Sequence, residues 1–269
     1  MTCSSPRLGD WPHALPLRAL AAAGLAAAGL AATTHAHAQA TVKDDGRWRS
    51  AVGAAFTASG GNSESTSLSV TADAVVATPE DKTSVYATAL YGRSQGQKTA
   101  DAMRAGTKHD WNLSPRAYVF GLLEGERDDL AQLSSRVTLG AGVGWKFSNT
   151  DELKFEVFGG AGFIAERYQV PRLVEGSDRS RYRYTTALLG EESVHKAGQS
   201  TTLRQRFVLY PNLVNEGEYR AQWDAGVSVA ASERLNITTG LSVKYTTEPS
   251  AGLKRTDTLF TTGLNVKFE

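Results

Sequence analysis

Polar and apolar side chains alternate in stretches of about ten to sixteen residues from residue 47 to the end of this 269-residue chain, with turn-rich clusters between them. The N-terminal stretch also reads as an export leader, and the chain carries no cysteine after Cys3. These observations predict an all-β fold, a transmembrane antiparallel up-and-down β-barrel of about twelve strands. Alternation alone also suits a soluble periplasmic sandwich, whose sheets pack inward on one face. Segment length separates the two, because soluble strands average about five or six residues whereas a tilted membrane strand needs roughly nine to eleven.

The leader comes first. Arg7 and Arg18 precede the apolar run Ala19 to Ala32, which is too short to span a bilayer and is followed by the small-x-small site Ala36-His37-Ala38. Residues 1–38 are therefore expected to be a cleaved signal peptide, and 39–269 an outer-membrane barrel of a Gram-negative cell. The single cysteine, Cys3, leaves with the leader, so neither disulfides nor thiolate metal sites are expected in the mature chain. A closed barrel holds together without them, since every strand edge is paired. From totals of 29 Lys plus Arg and 28 Asp plus Glu, losing two Arg and one Asp leaves the mature chain formally neutral. Basic and acidic residues are interspersed throughout, which excludes the concentrated basic face of a nucleic-acid binder. No later stretch reaches the roughly eighteen apolar residues of a membrane helix. With 26 Gly and only 8 Pro, the composition suits strands joined by turns.

Twelve segments are predicted, near 47–57, 64–77, 82–92, 99–111, 116–126, 134–147, 152–167, 182–194, 201–211, 217–231, 234–246 and 256–268. The clearest sets Val137, Leu139, Ala141, Val143, Trp145 and Phe147 against Arg136, Thr138, Gly140, Gly142, Gly144 and Lys146. Leu235 to Tyr245 repeats the pattern, as do Tyr219, Ala221, Trp223, Ala225, Val227 and Val229 opposite Arg220 and Asp224. Aromatics such as Trp48, Phe56, Trp145, Phe147 and Tyr219 gather toward segment ends, as interfacial girdles do. Short links at 78–81, 113–115, 148–151, 196–199 and 232–233 suit periplasmic turns. The longer ones, Tyr168 to Arg181 and Thr247 to Lys254, suit outer loops, although the Gly60-Gly61-Asn62 link is short. The final segment alternates Phe260, Thr262, Leu264, Val266 and Phe268 with polar residues, like the strand signal read by the barrel-insertion machinery. Its aromatic is penultimate, with Glu269 last, so delayed insertion is expected.

Several blocks carry a family resemblance. The stretch DAMRAGTKHDWNLSPRAYVFGLLEGERDDLAQLSSRVTLGAGVGWKF (Asp101 to Phe147), LRQRFVLYPNL (Leu203 to Leu213), KYTTEPSAGLKRTDTLFTTGLNVKF (Lys244 to Phe268) and the earlier GGNSES run resemble the proteobacterial family of salt-induced outer-membrane proteins, a domain of unknown function. The resemblance covers nearly all of residues 47–268. It implies a porin-like outer-membrane barrel and supplies no catalytic residues.

Chemistry-bearing residues are few. After the leader only His109 and His195 remain. The lipid hydrolases of this compartment use His-x-Ser, whereas here the strings are His109-Asp110-Trp111 and Ser193-Val194-His195. No enzyme and no cofactor is expected, with an outer-leaflet lipid-modifying enzyme as the alternative; His109 is expected beside Trp111 in an interfacial belt and His195 at a turn. Glu124, Glu126, Asp128 and Asp129 read as a solvated acidic outer loop, with a divalent cation as the sharper reading. The loop holding Arg167, Arg172, Arg179, Arg181 and Arg183 against Glu166, Glu175 and Asp178 reads as solvated, or as a clamp on lipopolysaccharide phosphates. Gly140-Ala141-Gly142-Val143-Gly144 sits inside a strand, where Gly relieves crowding on the inner face. The informative set is the lumen-facing charges Arg136, Lys146, Lys154, Glu156, Arg204, Arg206, Arg220, Asp224, Lys244 and Asp257. These either pair across the lumen and plug it or line a narrow aqueous path. The expected partners are outer-membrane lipids including lipopolysaccharide, and the chain is expected to be monomeric. The role expected is structural, in envelope stress or salt response, with narrow passive pore activity open.

Overall fold

The computed structural model describes residues 40–59, 65–171, 173–174 and 177–268. The leader with Cys3 and its cleavage site, the Gly60-Gly61-Asn62 link, Arg172, Glu175 and Glu269 lie outside the described residues. The strands are β1 (Arg49–Ser59), β2 (Ser65–Ala77), β3 (Asp81–Ser94), β4 (Gln97–Asn112), β5 (Ala117–Asp128), β6 (Leu133–Asn149) and β7 (Leu153–Tyr168). They continue with β8 (Leu173–Val174), β9 (Ser177–Asp178), β10 (Arg181–Ala197), β11 (Thr201–Pro211), β12 (Tyr219–Ala230), β13 (Leu235–Thr246) and β14 (Thr256–Phe268). Twelve of them form one closed barrel in the order β1-β14-β13-β12-β11-β10-β7-β6-β5-β4-β3-β2, every pair antiparallel. The twelve segments read from the sequence are these twelve strands, with ends displaced by at most three residues. The unforeseen addition is the small β8-β9 hairpin in the loop after β7.

Closure rests on the shortest pairing of the wall, from Ser50 opposite Phe268 to Ala54 opposite Leu264. Arg49 and Phe268 thus lie at one rim with the turns at 78–80, 113–116, 150–152, 198–200 and 231–234; we term this the terminal rim. The far rim holds the connections 95–96, 129–132, 169–180, 212–218 and 247–255. The connections 169–180 and 247–255 are long, as anticipated, while the β3-β4 link is a two-residue turn. Gln95 and Gly96 have φ of 50° and 75°, the left-handed pair that matches the twist of a tight hairpin.

The strand period divides the side chains cleanly. On β6, Leu139 and Val143 are 58% and 61% exposed while Thr138, next to Leu139, is 2% exposed, so on this strand apolar groups face out and polar groups in. Trp48, Trp111, Trp145 and Phe147 ring the terminal-rim half of the outer surface, and Tyr91, Tyr219 and Tyr245 the far-rim half. Neighbouring belt rings pack together, Phe147 tilted against Phe155 at 5.7 Å and Tyr219 stacked on Tyr245 at 5.5 Å, which orders bulky side chains that no protein core confines.

At the far rim, Asp129 in the β5-β6 turn draws three segments together. It accepts hydrogen bonds from Lys98 at 3.0 Å, Arg127 at 3.3 Å and Gln169 at 2.8 Å. The Lys98 bond, then that of Arg127, holds its carboxyl below the usual carboxylate range. A depressed folded-state value means that the stabilising contribution is complete above the unfolded value and is lost as pH falls through the folded one. Amide-exchange protection of residues 129–132 is therefore expected to hold down to about pH 5 and to decline below about pH 4, near the unfolded value for Asp. Asp129→Asn should flatten that decline.

Candidate functional site

The lumen is where the chain gathers its charge. Each strand sends alternate residues inward, and every lumen-facing charge read from the sequence points there except as noted below. Arg136 of β6 spans two carboxylates, donating Nη1 to Glu126 at 2.9 Å and Nε to Glu166 at 2.7 Å. Lys244, from β13 on the facing wall, donates to the same Glu126. Glu166 accepts further hydrogen bonds from Tyr168 at 3.0 Å and Tyr184 at 3.3 Å. Beside this cluster Arg104 donates to Glu124 at 2.6 Å, and the Tyr86 hydroxyl donates to the same carboxylate.

A second cluster lies toward the terminal rim. Asp110 takes Lys82 at 3.1 Å and Lys108 at 2.9 Å, while Glu156 accepts from Tyr118 at 3.0 Å and lies 3.7 Å from Lys108. Lys146 donates to Asn112 at 2.7 Å. Lys154 is half-buried at the same rim. Arg206 stands opposite Glu192 in the β10-β11 register, with Arg204 one inward step away. Arg220 lies over the Tyr210 ring at 4.8 Å, and Asp224 accepts from Gln222 at 2.7 Å and Ser242 at 2.6 Å. Asp257 shares the register of Lys244 but is exposed at the far mouth. It belongs to the rim rather than to the packed interior.

Two sequence expectations change. Glu124, Glu126 and Asp128 are not an outer loop: they are successive inward residues of β5, and only Asp129 occupies the turn. The acidic run resembled a loop because its cationic partners, on β4, β6 and β13, are remote in sequence. Likewise Glu166 is a lumen residue of β7. Arg167, Arg181 and Arg183 are on strands, and Arg179 pairs with Glu218 at 2.9 Å. His109 stacks edge-on against Trp111 at 4.3 Å, as anticipated, with Nδ1 2.7 Å from the Thr83 hydroxyl. His195 lies within the end of β10 rather than in the turn.

The charges do not fill the lumen alone. Tyr118, Phe120, Phe158, Ile164, Tyr184, Leu188, Val208 and Tyr210 form a buried cluster, and all sit at inward positions of β5, β7, β10 and β11. Phe120 and Phe158 meet edge to face at 5.6 Å, an arrangement that stabilises by about 0.5–1.5 kcal/mol beyond area burial. The glycines of β6 make room for it. A Cβ on Gly144 would meet the Tyr118 ring at 2.1 Å, and one on Gly142 would meet the Gly159 carbonyl oxygen at 2.3 Å and Phe120 at 2.8 Å. Bulky β5 side chains thus lie flat across a bare strip of wall. The inner-face role read for these glycines is the one they have.

The terminal mouth carries one more element. The Ala40 N–H donates to Asp73 of β2 at 2.5 Å, and Ala40 packs with Val42 on Ala51 and Val75, both inward-facing. Gly46 donates to the Ala77 carbonyl at 2.8 Å, and Asp45 takes a two-pronged contact from the buried Arg49 at 2.6 and 2.7 Å. Residues 40–46 are therefore a strap folded against the inner wall. The hydrogen bond from Arg49 holds the Asp45 carboxyl below its usual range.

Sequence reading missed Lys82, Arg104, Lys108, Asp110, Glu124, Glu126, Glu166 and Glu192 as lumen residues. Parity could have found those on β4, since Arg104, Lys108 and Asp110 all lie an even number of residues apart.

No curated protein matches the chain. Among solved structures it is similar to the NanC porin (12% identity, 81% of this chain and 97% of that one, TM-score 0.43). It is also similar to the KdgM porin (8% identity, 83% and 100%, TM-score 0.42). A third is the translocator domain of the autotransporter NalP from Neisseria meningitidis (14% identity, 81% and 86%, TM-score 0.42). A family model described as a protein of unknown function, DUF481, matches residues 52–268, and with that span of the barrel covered the chain belongs to the DUF481 family.

Proposed function

We propose that this protein is an outer-membrane barrel whose lumen is sealed, a structural component of a Gram-negative envelope rather than an open passage or an enzyme. The outward apolar surface bounded by aromatic belts supports the membrane placement. It also supports export by residues 1–38, assembly by the barrel-insertion machinery and contact with lipids including lipopolysaccharide. The observation that carries the sealed lumen is the interior itself: Arg136, Glu126 and Glu166 have side chains 13%, 8% and 3% exposed, and Arg136 pairs directly with both carboxylates. They stand beside an apolar cluster that occupies the same lumen. An open aqueous path would leave such groups hydrated and separate. The salt association comes from the resemblance, and we place it here as a role in envelope stress.

Both histidines lie toward the terminal rim, on the outward face. With the termini periplasmic, that is the inner-leaflet side, which weighs against an outer-leaflet lipid enzyme.

Planar-bilayer recording of the refolded chain tests the reading. The wild type is expected to give no discrete porin-sized steps. Deleting residues 40–46 together with Phe120→Ala and Phe158→Ala should produce them, because strap and aromatic cluster are both removed. Large steps from the wild type, with ion preference inverted by Arg204→Glu and Arg206→Glu, would show an aqueous path along β11 and overturn the sealed lumen.

A further inference from the structure

One outward row of side chains breaks the rule that the outer surface obeys. Register carries Trp145 of β6 to Val157 of β7, then to Glu191 of β10, Phe207 of β11, Trp223 of β12 and Val243 of β13. Every member but Glu191 is apolar. Its neighbour Glu192 points into the lumen, so Glu191 cannot. Glu191 is not at an end of its strand either. It lies six residues before Ala197, the terminal-rim end of β10, roughly 15 Å along the barrel axis at the usual rise and tilt and thus inside an apolar band about 25 Å tall. The Gln205 Nε2 donates to its Oε1 at 3.0 Å, and Gln205 is likewise outward, between Leu203 and Phe207.

We propose that this Glu191–Gln205 pair is the centre of a contact between two copies of the chain within the membrane, formed by the outer faces of β7, β10 and β11. The inference rests on the membrane placement proposed above. The internal hydrogen bond uses one of the four acceptor sites of the carboxylate and one of the two amide donors. Acyl chains supply no partner for the rest, and lipid head groups stay at the surface. Ionisable groups at such depth accordingly face protein or water rather than lipid.

A second copy fits because of symmetry. A two-fold axis parallel to the barrel axis preserves depth, so Glu191 of one protomer meets Gln205 of its partner at the same level, and the second N–H of each amide reaches the other carboxylate. The surface alongside permits close approach: Ala141, Ala161 and Ala187 share one outward register row across β6, β7 and β10. Small residues of this kind let membrane segments approach closely.

Cross-linking in intact outer membranes tests the proposal. The full-length chain would carry Cys3→Ser and either Ser193→Cys, whose residue stands opposite Gln205, or Ile237→Cys on the outward face of β13. Oxidation is expected to give a dimer-mass band with Ser193→Cys and none with Ile237→Cys. Adding Glu191→Leu and Gln205→Leu should lower the dimer fraction about tenfold, the scale of losing two intramembrane polar contacts, while the barrel stays folded by heat-modifiable mobility. A folded, membrane-inserted chain that stays monomeric, links to a protein of another mass, or dimerises undiminished after the double substitution overturns the proposal and leaves the membrane placement standing. A chain that fractionates as a soluble protein overturns both.

Discussion

Gly142→Val is expected to abolish the folded barrel, with the heat-modifiable species falling below about a tenth of the wild-type yield. Gly142 of β6 stands opposite Gly160 of β7 in the register. A Cβ on Gly142 would meet the Gly159 carbonyl oxygen at 2.3 Å and the Gly160 Cα at 2.7 Å, and one on Gly160 would meet the Ala141 carbonyl oxygen at 2.2 Å. These obstacles are backbone, fixed by the hydrogen-bond ladder on both strands, so no rotamer change relieves them. Overpacking usually costs about 1–3 kcal/mol where side chains yield, and here the sheet itself must part. Gly144 provides the contrast, because what its Cβ would meet is the Tyr118 ring. Gly144→Ala is expected to be destabilising alone and substantially rescued by Tyr118→Ala. Gly142→Ala should gain little from Phe120→Ala, since the Gly159 carbonyl remains. Rescue at both positions would mean that the wall has more give than its glycines imply.

The same strip explains which parts of the barrel the sequence discloses. Arg136 to Phe147 reads at sight because its inward positions are polar or glycine and its outward ones apolar, so the two-residue period is visible. On β5, directly beside those glycines in the wall, the period vanishes. Ala117 to Leu123 is apolar at every position except Gly121, since Tyr118, Phe120 and Leu122 point into the apolar cluster while Val119 and Leu123 point outward. A barrel that is packed inside resembles a buried core strand there, and the sequence alone cannot tell which face is which. The charges that follow on β5 are hidden for a different reason. Glu126 takes a cation from Lys244, 118 residues away, and nothing local to either residue announces the pairing. Glu191 and Glu192 carry the same difficulty further, because two adjacent carboxylates read as one polar end of a strand. Only the register separates the lumen residue from the outward one.

Arg136→Ala is expected to be the most damaging single substitution among the lumen charges, because it takes the guanidinium away from two buried carboxylates at once. Glu126 would keep Lys244, and Glu166 would keep the hydroxyls of Tyr168 and Tyr184, but each would lose its direct contact with the Arg136 guanidinium. The Glu126 and Glu166 side chains are 8% and 3% exposed, so water cannot replace the guanidinium. Breaking a buried pair from one side typically costs about 3–5 kcal/mol, which should appear as a clear fall in the urea midpoint followed by tryptophan fluorescence in detergent micelles. Lys244→Ala should cost less, since that ammonium is 38% exposed and Arg136 still holds Glu126. The combination Arg136→Met, Glu126→Gln and Glu166→Gln should recover most of the loss, because swapping a whole buried charge group for neutral groups of similar volume is often near neutral. Raising ionic strength should leave the wild-type midpoint almost unmoved, as buried pairs are screened far less than exposed ones. A wild type whose midpoint falls steeply with salt would show that water and ions reach Arg136, and the packed lumen would then be an aqueous one.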